Sequence, residues 1–124
     1  MKWIPEREYR RIERIMPIAC VDLIIRRGSG VLLVKRACEP FRGKWWVPGG
    51  RLMRGERVSA AIRRIARQEV GLMVHGQPSG FYEGFYKNRH SISIVCECED
   101  YGGEVRLDSQ SDSFKWSVLP KQLQ

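Results

Sequence analysis

The sequence predicts an α+β sandwich, and three observations support this fold class. Runs rich in Val and Ile are broken by Gly and Pro, which is typical of short strands. One central segment has apolar residues at three- and four-residue spacing, which is typical of an amphipathic helix. The chain has 124 residues, 43% of them hydrophobic, and no repeat, linker or low-complexity segment divides it. We therefore expect one domain, residues 1–124, with one hydrophobic core.

The N-terminal third predicts a helix followed by a hairpin. The helix begins after Pro5 and ends at Pro17, which cannot continue it. Its apolar stripe consists of Tyr9, Ile12 and Ile15 or Met16. Residues 18–26 then lead through Gly-Ser-Gly at 28–30 into residues 31–34, so two antiparallel strands are expected.

The rest of the chain predicts one helix and several strands. Residues 37–44 form a loop, and an aromatic strand at 45–47 ends at Pro-Gly-Gly. The amphipathic helix covers residues 58–70 and stops at Gly71. Further strands are expected, with turns at residues 87–90 and 101–103, and the strands cover residues 81–86, 91–99, 104–107 and 114–117.

Composition limits the partners and the compartment. The net charge of +8 favours polyanionic partners, either nucleotide phosphates or nucleic acid. Nucleic acid is the less favoured of the two, because no surface with interleaved aromatic and basic residues is evident. No apolar run approaches the roughly 20 residues of a membrane span, and the N-terminus lacks the apolar region of a signal peptide, so we expect a cytoplasmic protein without a membrane partner. The four cysteines lack zinc-ligand spacing and are expected to be buried thiols, with a soft-metal site at Cys96 and Cys98 as the alternative.

The segment with the clearest chemistry is a glycine-broken loop that leads into the central helix, residues 50–72. Loop carbonyls and a carboxylate on the helix can meet there around a hard cation. The segment resembles the Nudix box, G-x(5)-E-x(7)-R-E-U-x-E-E-x-G-U, and Trp45-Trp46-Val47-Pro48-Gly49-Gly50 is similar to the strand that precedes it. The matching positions are Gly50, Glu56, Arg64, Glu69, Gly71 and Leu72. Two box glutamates are replaced, by Ile65 and Gln68. Because positions 65, 68 and 69 share one helix face, that face carries one carboxylate instead of three.

This resemblance implies a Nudix-type α/β/α sandwich with a mixed sheet and a hydrolase of nucleoside diphosphate derivatives. The implied cofactor is Mg²⁺, with Mn²⁺ as an alternative. Loss of the same two glutamates is similar to the GDP-mannose mannosyl hydrolase branch, which implies that Gly49, Glu69 and Gln110 hold one magnesium. It also implies that Asp22, Arg36 and Arg51 bind substrate and act with Glu69 in catalysis.

One departure concerns the general base. The branch has a His after the Gln, and this chain has Ser111, whose neutral hydroxyl cannot accept a proton in the same way. Asp112, Asp108 and His90 are open replacements, whereas His75 is expected to be inert.

Three functions stay open. The first is a nucleotide-sugar hydrolase that attacks the sugar carbon, and the second is a pyrophosphohydrolase of ADP-ribose or nucleoside triphosphates. The third is a non-catalytic nucleotide-binding module. In each the partner is a small-molecule nucleotide. Only residues 118–124 follow Ser117, where Nudix proteins commonly continue into a helix. Either the domain is a compact version or a second subunit completes the pocket, and a homodimer is expected because related enzymes are often dimers.

Overall fold

The computed structural model describes residues 3–39 and 41–124. The helices are α1 (Glu6–Ile15) and α2 (Val58–Ile65), and α2 continues into a π-helical turn, Ala66–Val70. A short 3₁₀ turn, Lys121–Leu123, lies near the C-terminus. The strands are β1 (Ile18–Arg27), β2 (Gly30–Arg36), β3 (Trp45–Trp46), β4 (Gly49–Arg51), β5 (Met73–Tyr86), β6 (Arg89–Gly102) and β7 (Ser111–Ser117).

The strands form one mixed sheet built around β1. Its order is β3-β2-β1-β6-β5, with β4 paired to β1 and β7 paired to β2. β1 runs parallel to β6 and antiparallel to β2 and β4. The expected α+β sandwich with a mixed sheet is confirmed.

The side chains of β1 alternate between the two faces of the sheet, as they do in any strand. On one face, Val21, Leu23 and Ile25 pack under α2, whose Ala61, Ile62 and Ile65 are buried. The opposite face has a second apolar cluster around Ile24, Val31, Leu33, Val47 and Val95, partly covered by Trp46, Leu119 and Leu123. Asp22 also lies on this second face, because it alternates with Val21 and Leu23.

The strands after α2 are longer than the sequence suggests. β5 begins at Met73 instead of residue 81, and β6 continues to Gly102, where residues 101–103 were expected to form a turn. The register shifts between Pro78 and Gly80, which lets an edge strand contain a proline that has no N–H to donate. The chain turns at Gly103, whose φ is 89°.

The expected strand at 104–107 is wrong. The amide of Arg106 donates to the carbonyl of Val70 at 2.8 Å, and that of Asp108 donates to the carbonyl of Glu69 at 3.3 Å. This segment therefore satisfies carbonyls at the end of the π-helical turn instead of joining the sheet.

The hairpin and the helix stop at Gly71 are confirmed. Of the four cysteines expected to be buried, Cys20, Cys96 and Cys98 are buried, whereas Cys38 is only partly buried. The two glycines expected to end the aromatic strand instead begin a short strand of their own, β4. The loop is seen at residues 37–39 and 41–44, whereas residue 40 and residues 1–2 of the charged N-terminus lie outside the described residues. Within the described ranges, none of the helices has both the length and the apolar character needed to cross a membrane.

Candidate active site

Two adjacent glycines in β4 lie between carboxylates on opposite faces of the sheet. Gly49 is paired with Asp22 and Gly50 with Val21. A Cβ on Gly49 would overlap Asp22 Oδ1 on the face away from α2. A Cβ on Gly50 would lie 3.3 Å from Glu69 Oε2, on the face that α2 covers. The lack of side chains therefore lets both carboxylates approach the backbone of one short strand.

Glu69 extends from the π-helical turn toward this strand. Burial raises the pKa of Glu69 to about 8, and the nearby carboxylates of Asp108 and Asp22 also act to raise it. A hydrogen bond from the amide of Gly49 and the charge of Arg36 oppose this rise. The Glu69 carboxylate is thus poorly hydrated and only partly neutralised by the protein, which favours a bound cation.

Asp22 is held in place by neutral donors. Its side chain is 7% exposed, and Trp46 Nε1 donates to Asp22 Oδ2 at 3.2 Å. Burial raises the pKa of Asp22 to about 6, against the effects of hydrogen bonds from Trp46 and Ser93 and of the charge of Arg89.

A partly buried ion pair stabilises the loop before α2. Arg64 donates from Nε to Glu56 Oε2 at 2.7 Å and from Nη2 to Glu56 Oε1 at 3.0 Å. The same Nη2 donates to the carbonyl of Arg51 at 2.8 Å, while Glu56 Oε1 accepts from the amide of Met53 at 3.1 Å. The hydrogen bonds from Arg64 are the main reason why the pKa of Glu56 is lowered. Glu56 therefore positions the loop, and its carboxylate is paired with the guanidinium of Arg64.

Ile65 and Gln68, which replace two box glutamates, lie in different environments. Ile65 is 1% exposed and belongs to the core, with Cγ1 3.4 Å from where a Cβ on Gly50 would lie. Gln68 is exposed, and its Oε1 accepts from Arg64 Nη1 at 3.2 Å. Positions 65 and 69 thus both approach Gly50, whereas position 68 is directed toward Arg64, so the expectation of one shared face is wrong for residue 68.

The segment before β7 contributes Asp108 and Gln110. The amide of Gln110 donates to Asp108 Oδ1 at 3.0 Å, and the carbonyl of Gln110 accepts from the amide of Ala37 at 2.8 Å. Gln110 is exposed, and it is Asp108 whose charge acts on Glu69. The structure therefore places Asp108 beside the retained box carboxylate, with Gln110 two residues further on.

The two arginines expected to bind substrate lie on different sides of the diglycine. Arg36, at the end of β2, acts electrostatically on Glu69. Arg51 points to the opposite face of the sheet, where its Cζ lies 3.9 Å from the ring centroid of Tyr9 and 5.4 Å from that of Trp3.

The histidines lie away from Glu69. His90 Nε2 is 2.9 Å from Glu83 Oε2, and its ring stacks on Phe85. His90 precedes Ile94, the β6 partner of Val21, by four residues, or about 13 Å along the strand. His75 stacks on Tyr101. Of the acids considered as a general base, Asp112 is exposed and accepts from Ser113, which leaves Asp108 beside Glu69.

The sequence reasoning missed the residues that hold Asp22. Ser93 is a polar residue at a buried β6 position among Ile and Val, and this break in the apolar pattern was the available signal. Arg89 and Tyr9 carried no motif, and α1 brings Tyr9 to the sheet only in the folded chain.

Three features define this site: a strand with two glycines beside the helical segment that bears Glu69, the Arg64–Glu56 ion pair, and Gly71 with a left-handed backbone. They agree with a comparison of the sequence with known protein families. A family model described as the NUDIX domain matches residues 16–123. The chain belongs to the Nudix family. It is a Nudix hydrolase, and members of this class act on small nucleotide substrates.

Two relatives cover most of this Nudix hydrolase. It is 33% identical to the low-salt glycan biosynthesis protein Agl8 of Haloferax volcanii, over 90% of this chain and 78% of that protein. It is 31% identical to an ADP-ribose pyrophosphatase of Methanocaldococcus jannaschii, over 97% of this chain and 75% of that protein. Among solved structures, a MutT Nudix hydrolase from Burkholderia pseudomallei has the same fold, with a TM-score of 0.78, 24% identity and coverage of 86% of this chain and 88% of that one.

Proposed function

We propose that this Nudix hydrolase is a magnesium-dependent hydrolase of nucleoside diphosphate derivatives. The proposed substrate is a nucleotide sugar such as GDP-mannose, with water attacking the sugar carbon. One observation carries the proposal: of the three box positions after Arg64 that usually hold carboxylates, only Glu69 has one, and Ile65 is buried in the core. Fewer carboxylates favour one metal ion, and one ion suits neutralisation of a diphosphate leaving group better than water attack on phosphorus.

The donor set suits a single hard cation. Residues 3–39 and 41–124 contain no group of three or more His, Cys, Asp or Glu side chains that could hold a metal. We assign the Glu69 carboxylate, the Gly49 carbonyl and the Gln110 side-chain amide as protein ligands, with water completing the set, because this set needs only one carboxylate. These oxygen donors match the preference of Mg²⁺, and Mn²⁺ accepts the same ligands.

A half-open cleft of about 460 Å³ is lined in part by Asp108 and Gln68, and we assign it to the sugar of the substrate. Its polar lining includes Arg67, Arg106, Glu104, Asp108 and Gln68. Two cations and two anions balance, so the lining suits a neutral group rich in hydroxyls better than another phosphate. The volume lies within the usual range of about 300–1,000 Å³ for small-molecule sites.

The protein groups have separate roles in the proposed reaction. A divalent cation, when bound, neutralises charge on the diphosphate. Arg36 adds a guanidinium on the Glu69 side, and Arg51 adds one on the far side of the diglycine. Asp108 accepts the proton of the attacking water, whose oxygen bonds to the sugar carbon. The carbon–oxygen bond to the diphosphate breaks, and its electron pair leaves with the diphosphate. Asp22 adds negative charge near Glu69 from the other face of the diglycine strand.

A second candidate is a pyrophosphohydrolase of ADP-ribose or nucleoside triphosphates. Asp108 favours it, because a carboxylate beside Glu69 supplies part of what the box has lost and could help hold a second cation. The relative named ADP-ribose pyrophosphatase supports the same alternative.

Turnover in ¹⁸O-labelled water distinguishes these reactions. Label in the free sugar supports attack at carbon, whereas label in a nucleoside monophosphate or in phosphate supports attack at phosphorus. Glu69→Gln should abolish magnesium-dependent turnover, and Glu99→Gln, an exposed site on β6, should not. Wild-type rates in Glu69→Gln would refute the site. Tight nucleotide binding without turnover of sugars, dinucleotides or triphosphates would indicate a binding module.

A further inference from the structure

We propose that Arg89 and Arg51, closed over by Tyr9 of α1, form an anion subsite that holds a phosphate of the nucleotide on the sheet face opposite α2. The inference rests on the proposed function, because it takes the anion to be part of that substrate. The sequence motifs assign no role to Arg89, Tyr9 or α1.

Arg51 supplies the first observation. Its partner in the sheet is Cys20, so its side chain leaves β4 on the face away from α2. Tyr9 and Trp3 lie within cation–π distance of its guanidinium, with ring centroids 3.9 Å and 5.4 Å from Cζ. Nη1 is buried and has no hydrogen-bond acceptor among the described residues.

Arg89 supplies the second observation at the same place. Its Nη2 contacts Cys20 Sγ at 3.9 Å, and its charge acts on both Tyr9 and Asp22. Its Nε is also buried without a hydrogen-bond acceptor in the described chain. The nearest carboxylate oxygen, Oε2 of Glu13 in α1, is 3.6 Å away, which is an ion-pair distance but too long for a hydrogen bond.

Two buried guanidinium N–H groups without acceptors indicate a ligand rich in acceptor oxygens. An unsatisfied buried donor is unfavourable, and more so when it is charged. Both arginines neighbour Cys20, Arg51 as its partner in the sheet and Arg89 through Nη2, which brings the two side chains to the same part of the sheet. Phosphate fits best, because its oxygens match the planar fork of arginine. The negative groups already present, Glu13 and Asp22, do not reach either orphan nitrogen with a hydrogen bond.

The subsite is continuous with the proposed active site. Arg51 directly follows Gly50, whose other face meets Glu69. A diphosphate that crosses the edge of the diglycine strand can therefore contact the Glu69 side with one phosphate and the two arginines with the other.

Binding of GDP and of inorganic diphosphate, measured by calorimetry with EDTA present, tests the subsite apart from the metal. Arg89→Gln should raise the Kd for GDP at least tenfold, and Arg89→Lys should give a smaller increase because it keeps the charge but loses the fork. Arg26→Gln removes an equal charge from an exposed arginine paired with Glu97 and should change the Kd less than twofold.

Glu13→Gln separates ligand binding from attachment of α1. It breaks the same ion pair as Arg89→Gln but frees the guanidinium, so GDP should bind as tightly as in wild type or more tightly. An unchanged Kd in Arg89→Gln, or an equal loss in Glu13→Gln, would overturn the subsite. If Arg89→Gln does not fold, Arg89→Lys and Glu13→Gln decide by the same criteria.

The binding and hydrolysis measurements distinguish failure of the subsite from failure of the proposed function. Arg89-dependent GDP binding in a wild-type protein that hydrolyses nothing would leave the subsite standing and remove the proposed function. Hydrolysis by Arg89→Gln with an unaltered KM would remove the subsite and leave the proposed function standing.

Discussion

Replacement of Asp22 by Asn should stabilise the fold at neutral pH and remove activity. Burial raises the pKa of Asp22 to about 6 from its ordinary value of 3.8. Ionisation of the folded protein is therefore disfavoured, and stability falls as the pH rises between these two values. Asn keeps an oxygen to accept from Trp46 and an N–H to meet Ser93, so the hydrogen bonds are not the main change.

The magnitude follows from linkage. A shift of about 2 units at about 1.4 kcal/mol per unit gives about 3 kcal/mol at pH 7.5, and only about 1 kcal/mol at pH 4.5. Urea unfolding in EDTA should show the midpoint of Asp22→Asn raised by about 1–3 M at the higher pH. Asp112→Asn, at an exposed aspartate, should show no such dependence.

Equal stability of wild type and Asp22→Asn at pH 7.5, or the same difference at both pH values, would refute the reasoning. A stabilised variant that has lost turnover would show that Asp22 is retained for its chemistry at the expense of stability.

Two further predictions concern the loop and the glycines. Glu56→Gln should lower the free energy of unfolding by about 3 kcal/mol, because it leaves Arg64 half-buried without a charged partner. Because the pKa of Glu56 is lowered in the folded protein, the difference in free energy of unfolding between wild type and Glu56→Gln should shrink as the pH falls toward that pKa. Urea titrations at several pH values measure this difference. A difference that stays constant would contradict the ion pair with Arg64 as its cause. Gly49→Ala should lower stability by about 1–3 kcal/mol or prevent folding, because its Cβ overlaps Asp22. Gly80→Ala, with nothing within 4 Å of the new Cβ, is the matched control in thermal unfolding, and equal Tm values for the two would refute the overlap.

Much of the fold was predictable because local patterns determine it. The period of apolar residues marked α2, and the Gly-Ser-Gly turn marked the β1–β2 hairpin. The box spacing also placed Glu69 and the diglycine in one region, since a loop followed by a helix has few ways to bring them together.

The parts that were missed depend on contacts between distant segments. Residues 104–107 have strand-like alternation, yet the amides of Arg106 and Asp108 bond to carbonyls at the end of the helical segment, so Asp108 lies beside Glu69. The extra length of β5 and β6 comes from pairing with each other, which outweighs the weak strand propensity of Gly76, Pro78 and Gly80. The packing of α1 against Arg51 depends on tertiary structure in the same way.

The π-helical turn at Ala66–Val70 makes the number of residues in this segment matter as much as their identity. In a regular α-helix, residue 69 would stack almost directly over residue 65, whereas the wider turn displaces it sideways. Both side chains can then reach Gly50 without competing for one volume. Deleting one residue between the box positions would keep every box side chain, yet it would rotate the side chains that follow by about 100° about the helix axis. Homologues that vary in chemistry at these positions should therefore still conserve the count between Arg64 and Gly71.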